Sequence, residues 1–182
     1  MGRRSALGVT LSLALVGCAS VIPHDFQAGA DRTLTLTDIW ARPEASRGRT
    51  MVLGGEILQV TPKPSGTEVE VLERPLGRQD RPEETDESRG RFIVVMDGFL
   101  DPAIYGPGRE VTVVGDVEGV TPRPIGEVTY TFPLLRGRYL HLWPKRQRVA
   151  YGPVRLGRLA EGRWRALTAR EIEAIGRLHG TG

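Results

Sequence analysis

A seven-residue phrase occurs twice in this chain, and each copy opens a run of alternating residues. Val60-Thr61-Pro62-Lys63-Pro64-Ser65-Gly66 leads into Glu68-Val69-Glu70-Val71-Leu72-Glu73, and Val120-Thr121-Pro122-Arg123-Pro124-Ile125-Gly126 leads into residues 127–132. Polar and apolar side chains that alternate at period two belong to a strand with one buried face. Proline stiffens each turn and glycine supplies a positive φ. Gly55-Glu56-Ile57 and Gly115-Asp116-Val117 repeat at the same offset. The pattern predicts two hairpins of like geometry in one barrel. A duplication and independent convergence on the same turn chemistry account for the likeness equally well.

Further strands are expected at residues 51–60, 91–96 and 110–120, with two more at 127–135 and 139–143. In residues 91–96, Phe92, Val94 and Met96 share one face while Ile93 and Val95 take the other. A strand apolar on both faces must be central or covered. Asp101-Pro102 places a capping acid before a proline, which signals one short helical turn; Gly106-Pro107-Gly108 stops it. Residues 76–90 are a row of mixed charges and read as a solvated loop. A last hairpin is expected around Glu161-Gly162. Thr168-Ala169-Arg170-Glu171 has capping-box spacing and would open a short helix with Ile172, Ile175 and Leu178 on one face. The fold class that follows is all-β: a small antiparallel OB-like barrel of about six strands, with a short C-terminal helix.

The single cysteine excludes an internal disulfide, so the core must hold by packing. Cys18 instead closes a leader. Arg3 and Arg4 form a basic start, residues 6–16 an apolar run, and Gly17 a small residue before the cut. The run is shorter than the roughly 20 apolar residues that span a bilayer. Leu15-Val16-Gly17-Cys18 resembles the lipobox of bacterial lipoprotein precursors. That resemblance implies a diacylglycerol on the Cys18 thiol and, after cleavage, an acyl chain on its new amino group. At about 0.8 kcal/mol per buried methylene, two or more chains hold a protein stably on a membrane. Ala19 and Ser20 follow, without the Asp that tends to mark retention in the inner membrane, so outer-membrane sorting is expected. The domain plan is a signal peptide at 1–17, an acylated cysteine and tether at 18–49, a barrel domain at 50–144 and a basic extension at 145–182. Within the tether, Leu34, Leu36 and Ile39-Trp40 are apolar enough to dock on the barrel. The formal charge of +3 is unevenly spread: residues 145–177 carry nine Lys or Arg against three Glu.

Several short motifs run in order through the barrel segment: Gly54-Gly55-Glu56-Ile57, Glu70-Val71, Pro75-Leu76, Ser88-Arg89-Gly90-Arg91-Phe92, Phe99-Leu100-Asp101-Pro102 with Tyr105, Gly108-Arg109, Val111-Thr112-Val113-Val114-Gly115, Gly126-Glu127 with Tyr130 and Pro133, and Leu142-Trp143. Residues 49–144, behind the lipobox, are similar to the Slp family of outer-membrane lipoproteins. The resemblance implies a lipid-anchored envelope protein with a link to starvation and stress, and it supplies no catalytic residues. The basic stretch after Pro144 departs from the usual pattern of the family.

Catalytic chemistry finds little support. There is no G-x-S-x-G, and His24, His141 and His179 are scattered through tether, strand end and tail. No pair of His or Cys has metal-ligand spacing, and no cofactor is implied. Asp97, Asp101, Asp116 and Glu118 read as cap, turn and surface acids. The chain is therefore expected to be a non-catalytic structural or interaction module of the outer membrane. Arg155, Arg158, Arg163 and Arg165 are candidate contacts to anionic lipid, each worth about 1 kcal/mol near such a surface. Nucleic acid would suit the same charges, but the expected compartment argues against it, and no nucleic-acid partner is expected. An alternative is an envelope glycan or small-ligand module, with Phe99, Tyr105, Tyr130 and Trp143 as stacking residues.

Overall fold

The alternating runs become five strands: β1 (Thr50–Lys63), β2 (Gly66–Glu73), β3 (Arg91–Met96), β4 (Glu110–Ile125) and β5 (Val128–Leu142). The protein was analysed as a computed structural model, which describes residues 20–146 together with 150, 151, 154, 155, 168 and 170. The chain divides between Trp143 and Pro144 into two compact units, described separately. In the first unit the strands pair in the closed order β1-β2-β3-β5-β4, with β4 returning to β1. Four of the pairings are antiparallel, and β3 runs parallel to β5 through Ile93–Leu134, Val94–Leu135 and Val95–Arg136. The expectation of a purely antiparallel barrel is corrected there.

Six expected ring strands become five because residues 127–135 and 139–143 belong to one continuous strand, β5. Gly137 does not break it. A Cβ at that position would stand 2.0 Å from the Met96 sulfur and 2.9 Å from a Val94 methyl, so glycine marks a close crossing over β3. Arg138 has no partner in the β4 ladder, because Val114 pairs with Tyr139 and Gly115 with Gly137. A bulge of this kind lets a strand bend and keep going.

The repeated phrases do form two like hairpins. Leu58 in β1 and Glu118 in β4 stand at the same offset in the two copies, and each is left out of its ladder as a bulge. The turns differ. The first pivots on Pro64-Ser65, between paired Lys63 and Gly66, whereas the second pivots on Gly126-Glu127, between paired Ile125 and Val128. The second copy therefore keeps its prolines inside the strand. Pro62, Pro122 and Pro124 all fall where their strand has a partner on one side only, a place where a sheet tolerates a missing N–H.

Inside the ring, Met51, Leu53, Val71, Phe92, Val94 and Val113 belong to one buried cluster. As expected of a strand apolar on both faces, β3 is paired on both sides and Ile93 is buried along with Phe92 and Val94. The helical turn after β3 forms with Ile104 N–H and Tyr105 N–H donating to the Asp101 carbonyl, both at 2.9 Å, and the Asp101 carboxylate accepting from Ala103 N–H.

Residues 20–48 hold three short helices: α1 (His24–Gln27), α2 (Leu36–Ala41) and α3 (Pro43–Ser46). α2 opens on a capping box, in which Thr35 Oγ1 accepts from Asp38 N–H at 3.3 Å and the Asp38 carboxylate accepts from Thr35 N–H at 3.0 Å. The anticipated docking of Leu34, Leu36 and Ile39 is present, all three buried in the ring's own cluster. Within the expected solvated loop 76–90, Glu83 and residues 86–89 are exposed as expected, but the 76–82 part packs through Leu76, Asp80 and Pro82. Leu76 and Pro82 bridge each other and pack over Gly54, and Asp80 and Pro82 are buried. Mixed charges pack here because the arginines and acids find one another and fixed backbone carbonyls.

In the second unit, β6 (Ala150–Tyr151) pairs antiparallel with β7 (Val154–Arg155). Arg170 is helical. The turn expected at Glu161-Gly162 and the rest of the expected C-terminal helix lie outside the described residues.

Candidate functional site

The residues nearest the lipobox are bound to the ring from the first one described. Ile22 is 2 % exposed and packs with Val52 of β1 and Val114 of β4 on the outer face of the wall. Phe26 stacks on Tyr139 of β5 with centroids 5.1 Å apart, and Tyr139 Oη donates to the Val21 carbonyl at 3.4 Å. Val21 N–H donates to the Gln79 carbonyl at 3.3 Å. Ser20 Oγ donates to the Asp80 carboxylate and accepts from Ile22 N–H at 3.1 Å. Arg32 closes on the same carboxylate through both terminal nitrogens, at 2.7 and 3.2 Å. This fork holds the Asp80 carboxyl below the usual carboxylate range, against the opposing effect of burial.

The receptor for that segment is a strained turn. Gln79 and Asp80 take φ of 59° and 62°, a left-handed pair that side-chain-bearing residues seldom adopt. The turn is held from the other side as well: Thr112 Oγ1 donates to the Asp80 carbonyl at 2.6 Å, and Trp143 Nε1 donates to Thr112 Oγ1 at 2.9 Å. Arg81 lies 5.0 Å from the Trp143 ring centroid and pairs with Glu110 at 2.9 Å. His141 meets Trp143 edge to face at 4.6 Å; burial pushes its imidazole below the ordinary value and the Arg81 charge adds to that. Sequence reasoning missed this network. Its members are spread over residues 20–143, and nothing in the 76–90 composition marks Asp80 as buried.

The four aromatic positions do not share a face. Trp143 is 7 % exposed, with its indole N–H already engaged. Tyr130, near the start of β5, is edge-on to Trp40 and Phe132, and its hydroxyl accepts from Arg91 N–H at 3.0 Å. Trp143 follows the opposite end of that strand. Tyr105 is half-buried against the ring's cluster, and Phe99 stands 70 % exposed. Phe99, Ile104 and Val128 are the exposed large hydrophobics among the described residues. Cys18, Arg158, Arg163 and Arg165 lie outside the described residues, and Arg155 is placed only as a β7 residue.

The four acids are taken up by neighbours. Asp97 and Glu118 both pair with Arg136, at 3.5 and 3.1 Å. Asp116 accepts from Thr50 Oγ1 at 2.6 Å and pairs with Arg138 at 3.7 Å, and Asp101 caps its own turn. Among the described residues no three His, Cys, Asp or Glu side chains are grouped to hold a metal ion, and no helix is long and apolar enough to cross a membrane.

The model of the outer membrane lipoprotein Slp family matches residues 15–165. The chain belongs to that family. Its place is accordingly the outer membrane, as an envelope lipoprotein. Among relatives, it is 30% identical over 152 residues to the uncharacterized lipoprotein YeaY of Escherichia coli K12, covering 82% of this chain and 77% of that one. It is 27% identical over 146 residues to the outer membrane protein Slp of the same organism, covering 79% and 77%. An uncharacterized protein of Haemophilus influenzae is 32% identical over 96 residues, 52% of each chain. The Slp match is wider than the 49–144 segment that carries the resemblance in sequence. It takes in Cys18 at one end and much of the basic stretch at the other.

Proposed function

We propose that this chain is a non-catalytic structural or interaction module of the cell envelope, acylated on Cys18 and held by its acyl chains on the outer membrane. The observation that carries the reading is the coincidence of a lipobox ending at Cys18 with a family match that begins at residue 15. Attribution of a catalytic role would need a cleft with unpaired acids or a nucleophile beside a base. The acids described above are instead consumed by arginines and caps, which supports a binding or scaffolding role. The ring order β1-β2-β3-β5-β4, with a helical turn after β3, supports an OB-like reading of the barrel. Arg155, Arg158, Arg163 and Arg165 are read as auxiliary contacts to anionic headgroups.

The test is mass spectrometry of the mature protein from membranes. An N-terminal Cys18 peptide carrying diacylglycerol and an amide-linked acyl chain is expected. Cys18→Ala should give a form that loses palmitate label and leaves the membrane fraction on washing. Labelling that survived the substitution would overturn the anchor. The glycan reading has weaker support, because Trp143 and Tyr130 have their polar tips engaged within the protein.

A further inference from the structure

We infer that the body of this protein sits flush on the leaflet that holds its acyl chains, through the face built from residues 20–32 and the turn at 78–81, with no tether between. The inference rests on the acylation of Cys18 proposed above and adds an orientation to it. Consecutive Cα atoms are ~3.8 Å apart, so Cys18 lies within about 8 Å of Ser20. Ser20 is already committed to Asp80, Val21 to Gln79 and Tyr139, and Ile22 to the Val52–Val114 wall. Had residues 19–48 been free, they would reach on the order of 100 Å when extended. The hydrogen bonds and the burial of Ile22, Leu34, Leu36 and Ile39 remove that reach.

The acyl chains must enter the bilayer beside Ser20, so the surface around Ser20 meets phospholipid headgroups. That surface is mostly polar, as a headgroup contact requires: Pro23, His24, Asp25, Arg78 and Gln79 are exposed, and Arg32 keeps 47% of its side chain exposed while it holds Asp80. The outer-face contacts fall on β1, β4 and β5 through Val52, Val114 and Tyr139. In the ring order the opposite wall is β2 and β3, which therefore faces away from the lipid.

The test uses the full-length acylated protein in phosphatidylethanolamine–phosphatidylglycerol vesicles. The Cys18 sulfur is consumed as a thioether, so one introduced cysteine accepts one fluorophore. His24→Cys and Arg78→Cys report the proposed contact face, and Glu70→Cys in β2 and Arg91→Cys in β3 the opposite wall. With a nitroxide on the lipid headgroup, the first pair should be quenched several-fold more than the second. Inserting twenty Gly/Ser residues between Ala19 and Ser20 should abolish that difference while leaving the acyl mass and vesicle flotation unchanged. Equal quenching at the four sites in protein that floats and carries the acyl mass overturns the orientation alone, as does a difference that survives the insertion. Protein that neither carries the acyl mass nor floats overturns the anchor, and the orientation with it.

Discussion

Glu68 is a residue whose chemistry responds to pH. Arg123 grips its carboxylate through both terminal nitrogens at 2.7 and 3.0 Å, and Lys63 adds a third contact at 2.7 Å. The Arg123 hydrogen bond, with Lys63 assisting, holds the carboxyl down from 4.5 to about 2. A carboxyl depressed in the folded state supplies stability that is whole above its unfolded value and is lost as pH falls toward the folded one. Urea denaturation should therefore show stability declining between about pH 4.5 and 2, and Glu68→Gln should flatten that decline while lowering stability at neutral pH. His141 has the opposite cause: burial lowers its imidazole, so the unfolded chain takes the proton first and stability falls as pH drops below the ordinary value of 6.5. His141→Gln should remove that step from the same titration. Glycine is required at Gly55, where a Cβ would stand 1.9 Å from the Leu72 carbonyl oxygen in the neighbouring strand. Gly55→Ala should cost about 1–3 kcal/mol or more, the range for an overpacked site, read as a lower urea midpoint.

At the scale of elements, the N-terminal segment is the part whose stability bears on function. Ile22 is its anchor in the outer wall, and truncating a buried Ile to Ala typically costs about 2–5 kcal/mol. Ile22→Ala should raise hydrogen exchange across residues 20–32 well before it affects the interior strands, because the ring core is a separate cluster. Thr35→Ala removes one half of the capping box of α2 and should cost about 1 kcal/mol. Its exchange signature should be confined to residues 35–41. The Thr35–Asp38 spacing is legible in the sequence, yet the stretch 18–49 is expected from its residues only to be a tether with apolar docking points. The helix it opens is six residues long, too short for a periodicity to stand out. The hairpins are the converse case. Alternation and repeated Pro/Gly turns point to them directly, whereas the two-residue difference in turn position depends on how each strand meets its neighbours.

For the whole molecule, the anchored body and the basic stretch are separable in their predictions. Unacylated protein should bind vesicles rich in phosphatidylglycerol more weakly without residues 154–182, and the difference should shrink with salt if Arg155, Arg158, Arg163 and Arg165 meet headgroups. Equal binding of both forms in co-sedimentation removes the tail from the membrane contact and leaves the Ser20 face to stand alone.

The sequence by itself settled the compartment and the class of fold. A lipobox is read linearly by processing enzymes, and strand alternation is a local consequence of pleat geometry, so both survive without knowledge of contacts. It also settled the covered nature of β3, since apolar side chains on both faces leave no wet side. Only the tertiary structure decided that β5 is continuous, that β3 runs parallel to β5, and that Ser20, Arg32, Asp80, Thr112 and Trp143 meet. Each of those depends on residues far apart in the chain. Gly137 is a break in isolation and a crossing point against Met96. Asp80 is one acid among many in a charged row until Arg32 arrives to hold it. That contact makes the stretch from Ser20 onward, expected as a tether, part of the body.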